Sequence, residues 1–335
     1  MKAVGLYEYL PIEHEQSLID QEVEKPRATG RDVLVKVEAV SVNPVDTKVR
    51  TSMNQKEEEL KILGYDASGI VVEVGEACTL FQPGDHVYYA GDITRQGSNS
   101  EFQLVDERII ARKPANLSFA EAAAMPLTTI TAYEALFDRM HIKRNEEDRT
   151  ILIIGGAGGV GSIAIQLAKL TNATVVATAS RPETRQWCLS LGADYIIDHH
   201  QPLLAQLQEK KIGEVDAILC LNDTDGHFQG MAEAIKPQGT ICTIVENQNS
   251  LDIQLLKNKS AAFVWEFMFT RPMYKTEDMI KQHELLTEAS ELFEQGKLKH
   301  TLTKVLSPVN AANLRHAHQE LEKGQMIGKF VLEGF

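Results

Sequence analysis

A short apolar run that leads into a glycine-rich loop constrains the fold of this chain more than any other feature. Residues 151–154 are four consecutive apolar residues, as expected of a parallel strand buried on both faces. Gly156, Gly158 and Gly161 follow with the spacing G-x-G-x-x-G, and residues 162–170 carry an apolar stripe with helical periodicity. Glycines in such a unit allow a tight turn, the approach of a pyrophosphate, and close packing of the helix on the strand. The spacing therefore predicts a dinucleotide site.

A lone G-x-G-x-x-G motif leaves an alternative open, because glycine loops also connect elements for structural reasons alone. Three neighbouring features favour dinucleotide binding: the apolar strand before the loop, the helix after it, and a further strand at residues 174–178. The prediction is a parallel βαβ unit with a nucleotide at the start of its helix.

The chain on either side of this unit has two kinds of sequence. Residues 1 to about 120 contain short strand-like segments separated by Gly/Pro turns, which predicts a small β-rich, barrel-like domain. The charged residues 56–59 are expected to form a solvated loop or helix face. From residue 151 onward, strands alternate with helices, which predicts a doubly wound parallel sheet. The expected strands lie near 151–154, 174–178, 195–198, 215–221 and 240–245, with a possible last strand in 261–269.

The C-terminal part is predicted to contain two helices and a strand that returns to the first domain. The helices are expected at about 276–295 and about 308–323, the second with Ser307 as its N-cap and Pro308 in its first position. The strand covers residues 328–332. This arrangement implies an α/β chain in which one domain is inserted in another.

The composition argues against several classes of function. The 335 residues include 34 Lys and Arg against 47 Asp and Glu, so the net charge of −13 disfavours nucleic-acid binding. Apolar runs are too short to span a membrane. The cysteines, Cys78, Cys188, Cys220 and Cys242, match neither a zinc-knuckle spacing nor a disulfide framework. We therefore expect a protein of the reducing cytoplasm.

Ser180 and Arg181 stand about 20 residues beyond the glycines, where an NAD site usually has an Asp or Glu for the ribose 2′-hydroxyl. A hydroxyl and a guanidinium suit a 2′-phosphate, whereas a carboxylate would repel it. The pair therefore favours NADPH as the cofactor. An alternative stays open, because Ser180 to Glu183 also fits a helix capping box with Pro182 near the helix start.

Several motifs follow one another along the whole chain in a distinctive order. They are Asn43-Pro-Val-Asp46, Gly64-Tyr-Asp-Ala-Ser-Gly69, Pro83-Gly84-Asp85, Pro126 with Thr131-Ala-Tyr133, the glycine loop, Leu191-Gly-Ala-Asp194 and Gly328-Lys-Phe-Val331. This order resembles the medium-chain dehydrogenase/reductase superfamily, and most of all its zinc-free quinone oxidoreductase (zeta-crystallin-like) branch. The chain also resembles bacterial proteins labelled zinc-type alcohol dehydrogenase-like.

The resemblance implies an α/β architecture in which a GroES-like, β-rich catalytic domain carries an inserted Rossmann domain, with the active-site cleft between them. The implied boundaries are 1–123 for the catalytic domain, 124–269 for the Rossmann NADP-binding domain and 270–335 for the return to the catalytic domain. It also implies a homodimer, in which the last Rossmann strand pairs across a two-fold axis and removes an exposed sheet edge.

The zinc ligands of the family are missing at the positions that match them. Zinc-dependent members carry a Cys where this chain has Asn43, a His where it has Tyr65, and a Cys near Leu127. The remaining histidines offer no replacement set, since His199 and His200 stand at a strand end. We therefore expect no metal.

The resemblance also implies a set of residues that bind the cofactor. The glycine loop should hold the pyrophosphate, His199 should pack beside the adenosine phosphate, and Thr131 and Val245 should lie near the nicotinamide. Phe267 and Phe269 match a segment that lines the cleft, although a core role explains them equally well. The loop residues are Gly156, Ala157, Gly158, Gly159, Val160 and Gly161.

These features together predict an NADPH-dependent oxidoreductase that transfers hydride to a quinone or an activated enone without a metal. Asn43 and Tyr65 are the candidate hydrogen-bond donors to the acceptor oxygen, and Asp46 is placed in the same site as an orienting or structural group. Two alternatives stay open: a zinc-type alcohol dehydrogenase and a non-catalytic, NADPH-binding redox sensor.

Overall fold

A computed structural model describes residues 1–52, 55–144 and 149–335. The chain forms two compact units. The first unit comprises Met1–Ile130 and Phe269–Phe335, and the second unit comprises Thr131–Met268. A chain that leaves the first unit and returns to it has the inserted organisation that the sequence predicts.

The strands and α-helices of the described residues have the following bounds. The strands are β1 Lys2–Glu8, β2 Ile19–Glu22, β3 Asp32–Ser41, β4 Lys56–Ile62, β5 Ala67–Val74, β6 His86–Tyr89, β7 Phe102–Asp106, β8 Ile110–Arg112, β9 Thr150–Ile154, β10 Thr174–Thr178, β11 Tyr195–Ile197, β12 Val215–Cys220, β13 Ile235–Thr243, β14 Ala262–Trp265, β15 Leu302–Leu306 and β16 Lys329–Glu333. The helices are α1 Pro44–Thr51, α2 Phe119–Ala123, α3 Pro126–Tyr133, α4 Gly159–Lys169, α5 Pro182–Ser190, α6 Leu203–Glu209, α7 Thr224–Ala234, α8 Thr270–Tyr274, α9 Lys281–Glu294 and α10 Ala311–Glu322.

The first unit is built on a sheet in the order β15-β16-β3-β5-β6-β8, with β7 also paired to β3. The alternating valines Val33, Val35 and Val37 of β3 are buried in its core, as their period-2 spacing predicts. β16 pairs antiparallel with β3, which confirms the predicted return of the C-terminal strand. This pairing places residues near 40 and near 330 side by side.

The second unit contains a six-stranded sheet in the order β11-β10-β9-β12-β13-β14, and every pairing in it is parallel. Residues 151–154 of β9 are completely buried, which confirms the predicted two-sided burial. The chain moves outward from β9 through β10 to β11 and then returns to the other side of β9 at β12. Such a switch point leaves a crevice at the carboxyl ends of the strands, where ligands of doubly wound sheets bind.

Three predictions about local structure are wrong. Residues 56–59 belong to β4, an edge strand paired with β1, and their exposed charges occur because β4 has solvent beside it. The last helix begins at Ala311 and not at Pro308, because the Asn310 side chain accepts from the Asn313 N–H at 2.8 Å and forms the cap. The helix expected from residue 276 begins at Lys281.

No helix among the described residues is both long and apolar enough to cross a membrane. All four cysteines are free thiols, and all but Cys78 are buried. Free thiols are compatible with the reducing compartment that the sequence predicts. The cytoplasmic location stays a prediction.

Candidate active site

The glycine loop makes a turn that lets α4 pack tightly on β9. Gly155 has a φ of +87°, in the left-handed region that favours glycine. A Cβ on Gly161 would lie 2.3 Å from the Gly155 carbonyl oxygen and 2.7 Å from that of Gly156. The last glycine of the motif therefore allows close packing, as predicted, and the residue just before the motif makes the turn.

The N-terminus of α4 is arranged to bind an anion. Gly158 is the N-cap, so the N–H groups of Gly159, Val160 and Gly161 lie in the first helical turn, where no carbonyl four residues back accepts from them. A Cβ on Gly158 would have its nearest neighbour at 3.6 Å, so glycine is not required there by packing. The first turn of α4 therefore fits a pyrophosphate, which its N–H groups and the helix dipole would bind.

Ser180 and Arg181 lie just beyond the end of β10, at the carboxyl edge of the sheet. The predicted capping box is displaced by one residue, because Arg181 is the N-cap and its N–H donates to the Thr184 hydroxyl at 3.2 Å. Ser180 therefore does not cap α5. The Arg181 Nε lies 3.3 Å from Glu183, and 38% of the Arg181 side chain is exposed, so it is accessible to a ligand.

The other predicted cofactor residues of the second unit have different environments. Thr131 is buried and Phe267 is 40% exposed. Val245 is half-buried, and its carbonyl accepts from the Thr224 hydroxyl at 2.5 Å. His199 follows β11, and burial lowers its pKa, with smaller contributions from two neighbouring histidines. Their roles at a cofactor stay predictions.

In the first unit, a buried network joins the two ends of the chain around Asp66. One carboxylate oxygen, Oδ1, accepts from the Leu127 N–H at 2.8 Å. The other, Oδ2, accepts from Asn43 Nδ2 at 3.0 Å and from Lys329 Nζ at 2.9 Å. Lys329 also donates to the Val42 carbonyl at 3.1 Å and to Asn43 Oδ1. Burial raises the pKa of Asp66, and the Lys329 ammonium opposes that shift.

Asn43 is a connecting residue of this network. Its amide nitrogen donates to Asp66 and, at 3.4 Å, to the Ser41 carbonyl, while its amide oxygen accepts from Lys329. Its backbone N–H donates to Asp46 Oδ2 at 2.7 Å, and Asp46 Oδ1 accepts from the Gly64 N–H at 3.1 Å. Burial raises the pKa of Asp46 to about 7. Both side chains are thus committed to protein contacts that orient the strand ends.

Tyr65 differs from its neighbours because its hydroxyl is buried without a hydrogen-bond partner in the described structure. Its ring packs edge-on against Phe269, with the centroids 5.4 Å apart. Burial raises the pKa of the Tyr65 hydroxyl, and the charge of Asp46 adds to the shift. The phenol therefore keeps its proton and can act as a donor. Phe269 thus packs against Tyr65 in the first unit.

The donor set around Asp66 does not fit zinc. The amide of Asn43 and the phenol of Tyr65 replace two of the expected ligands, and both oxygens of Asp66 already accept hydrogen bonds. Zinc sites in proteins use thiolates, imidazoles and free carboxylates. An ammonium 2.9 Å from the carboxylate would also repel a dication at the same oxygen.

Comparisons with known proteins place the chain in a family. Residues 29–131 match the alcohol dehydrogenase GroES-like domain, and residues 191–332 match the zinc-binding dehydrogenase domain. A zinc-type alcohol dehydrogenase-like protein of Staphylococcus aureus (strain MSSA476) is 47% identical over 335 residues, 99% of each chain. The chain belongs to the medium-chain dehydrogenase/reductase superfamily. It is an oxidoreductase of that family, with a GroES-like and a Rossmann domain.

Two further relatives carry different descriptions. A protein from Rhizobium etli CFN 42, described provisionally as a zinc-dependent alcohol dehydrogenase, has a crystal structure that matches with a TM-score of 0.97 and 51% identity, covering 100% of this chain and 98% of that one. The chloroplastic NADPH-dependent alkenal/one oxidoreductase of Arabidopsis thaliana is 34% identical over 250 residues, 70% of this chain and 63% of its own. The family and the glycine loop together indicate a nicotinamide cofactor.

Sequence reasoning missed Lys329, although a signal for it exists. The residue begins a strand whose neighbours are apolar and buried, and it is itself only 3% exposed. A lysine is almost never fully buried without a partner, so its place in such a strand indicates an acidic group nearby. Its partner Asp66 lies in one of the motifs but is 263 residues away.

Proposed function

We propose that this protein is an NADPH-dependent oxidoreductase that reduces a quinone or an activated enone without a metal. One observation carries the proposal: of the residues at the family's zinc-ligand positions, Asn43 donates to the carboxylate of Asp66, which Lys329 also holds, and Tyr65 presents a buried hydroxyl without a partner among the described residues. A carboxylate satisfied in this way offers no coordination site. The name of the Arabidopsis relative supports the enone class.

The acceptor class follows from what such a site can provide. Without a metal, nothing in it acts as a Lewis acid strong enough to activate a simple ketone or aldehyde. A quinone or enone is already electrophilic, and a hydrogen bond to its oxygen stabilises the negative charge that develops there. NADPH, when bound, supplies the hydride. Tyr65 donates the hydrogen bond, and the Asn43–Lys329–Asp66 network keeps the strand ends beside it in place.

Replacing Tyr65 with phenylalanine should separate activity from stability. Loss of one preorganised donor typically lowers kcat by about 100-fold or more. The hydroxyl has no partner to lose, so the free energy of unfolding should stay unchanged or rise slightly. Steady-state kinetics and urea unfolding of Tyr65→Phe measure the two quantities.

A matched control exists in Tyr89, whose hydroxyl is likewise buried without a partner among the described residues. Tyr89→Phe should leave both kcat and stability nearly unchanged. Equal activity of Tyr65→Phe and the wild-type protein would remove Tyr65 from the mechanism.

Arg181→Asp should reverse the cofactor preference. Hydrogen bonds to charged groups contribute about 1.5–3 kcal/mol, so loss of the contact to a 2′-phosphate should weaken NADPH binding roughly 10- to 100-fold. NADH has no such phosphate, so its affinity should be retained. Fluorescence titration with both cofactors measures the ratio of the NADPH affinity to the NADH affinity. The control is Lys210→Asp, which makes the same change of charge at an exposed position and should not alter this ratio. Equal losses of affinity for NADPH and NADH would contradict the assignment of Arg181 to the 2′-phosphate.

We further propose that the protein is a homodimer formed at β14. This strand is one edge of the six-stranded sheet, and Trp265 at its end is 44% exposed. Pairing with a second copy would satisfy the free strand edge and bury the indole. Light scattering at micromolar concentration should give twice the mass of the 37.2 kDa chain. A mass of one chain would contradict the dimer.

A further inference from the structure

A cluster of histidines lies at the carboxyl edge of the parallel sheet in the second unit. Asp198, His199 and His200 follow β11 directly. One donor atom from each lies within 4.8 Å of the other two. His227 of α7 adds a third imidazole, with its ring centroid 6.0 Å from that of His199. From the sequence, His199 and His200 at the strand end offered no ligand set for a metal, because the approach of His227 cannot be read from it.

One imidazole nitrogen of this cluster has no hydrogen-bond partner among the described residues. His199 Nδ1 is buried and has no hydrogen-bond partner in the described structure. Its ring lies 4.1 Å, centroid to centroid, from that of His200. The backbone beneath the cluster is held in place, since Gln206 accepts from the Asp198 N–H and donates to the Asp198 carbonyl, each at 2.8 Å. An unpaired imidazole nitrogen on a fixed backbone is a suitable donor for a metal ion.

We propose that Asp198, His199 and His200, together with His227, bind a divalent transition metal such as zinc. Imidazole and carboxylate donors are the common ligands of this ion class. Zinc–nitrogen distances of about 2.0–2.1 Å place two ligands of one ion at most about 4.2 Å apart. Donor atoms within 4.8 Å therefore need only small side-chain rotations to reach that geometry. His200 is exposed, so an ion can enter from solvent.

This site overlaps the position at which His199 is expected to pack beside the adenosine phosphate. A metal held by His199 would occupy the imidazole that the cofactor requires, so zinc and NADPH would compete. The competition, unlike metal binding itself, rests on the proposed cofactor function. It would make the oxidoreductase sensitive to free zinc through a site remote in sequence from Asn43 and Tyr65.

Zinc binding can be tested by isothermal titration calorimetry on the full chain without a histidine tag, stripped of metal with EDTA and then exchanged into chelator-free buffer. We expect one zinc per chain. Loss of outer-shell groups alone costs 10- to 100-fold in metal affinity, so His199→Ala and His200→Ala should each weaken binding by at least about 10-fold. His14→Ala, an exposed histidine elsewhere, should change nothing. Thermal melts without zinc establish that the variants fold.

Absence of zinc binding, or binding unaffected by His199→Ala together with His200→Ala, would overturn the site. A second titration, of NADPH with and without saturating zinc, tests the competition. Zinc should weaken NADPH binding to the wild-type protein but not to His200→Ala. An NADPH affinity that zinc leaves unchanged would show that the zinc site does not overlap the cofactor site. A chain that binds zinc but no NADPH would refute the proposed function while upholding the metal site.

Discussion

Lys329→Met is expected to destabilise the first unit by about 3–5 kcal/mol, the usual cost of breaking a buried ion pair from one side. Methionine has nearly the same length, so the change removes the charge and leaves little cavity. The carboxylate of Asp66, which is fully buried, would lose its ammonium, and Asn43 Oδ1 and the Val42 carbonyl would lose a donor. Urea unfolding monitored by circular dichroism measures the loss.

The control for this prediction is an exposed lysine in the same sheet. Lys36 pairs with Glu38 at 2.7 Å, but 53% of its side chain is exposed, so Lys36→Met should cost about 1 kcal/mol or less. Combining Lys329→Met with Asp66→Asn removes both charges and should recover part of the loss. If Lys329→Met lowers the free energy of unfolding by less than about 1 kcal/mol, the Lys329–Asp66 pair does not stabilise the site.

Gly161→Ala should damage both the fold and the cofactor site. The new methyl group would lie 2.3 Å from the Gly155 carbonyl oxygen, and its neighbours there are backbone atoms that cannot rotate away. Overpacking of this kind typically costs about 1–3 kcal/mol. Because α4 must shift away from β9, its first amides would no longer be aligned on a pyrophosphate, so NADPH affinity should fall as well. Thermal melts and fluorescence titration measure the two effects.

Gly158→Ala is the matched control, because the same methyl group meets nothing closer than 3.6 Å there. The melting temperature should remain near that of the wild-type protein. NADPH affinity should nevertheless fall roughly 10- to 100-fold if the methyl group displaces one phosphate contact. Unchanged NADPH affinity in both glycine variants would show that the loop is only a structural turn.

The parts of the fold that sequence reasoning predicted are those determined locally. The apolar run of β9, the glycines after it and the stripe of α4 are consecutive in the chain, so their pattern contains the whole strand-loop-helix unit. Ser118 and Glu121 likewise have capping-box spacing in the sequence and form that box at the start of α2, since both partners lie within one turn. Such short-range signals need no knowledge of tertiary contacts.

The features that were missed depend on contacts between distant residues. β4 is a strand because β1 pairs with it, although its own sequence is highly charged. β15 was not predicted, and it forms only because β16 provides a parallel neighbour. The Lys329–Asp66 pair joins residues 263 positions apart. Periodicity within a window of the sequence contains no information about such partners.

Metal-free reduction is tested most directly by NADPH oxidation, with protein treated with EDTA and assayed against a small quinone, an enone and a simple aldehyde at equal concentration. We predict turnover with the quinone or the enone and none with the aldehyde, at a rate that EDTA does not lower. Aldehyde turnover that EDTA abolishes would contradict the proposal and establish a zinc-type alcohol dehydrogenase. Tight NADPH binding without turnover of any acceptor would also contradict it and favour a redox sensor.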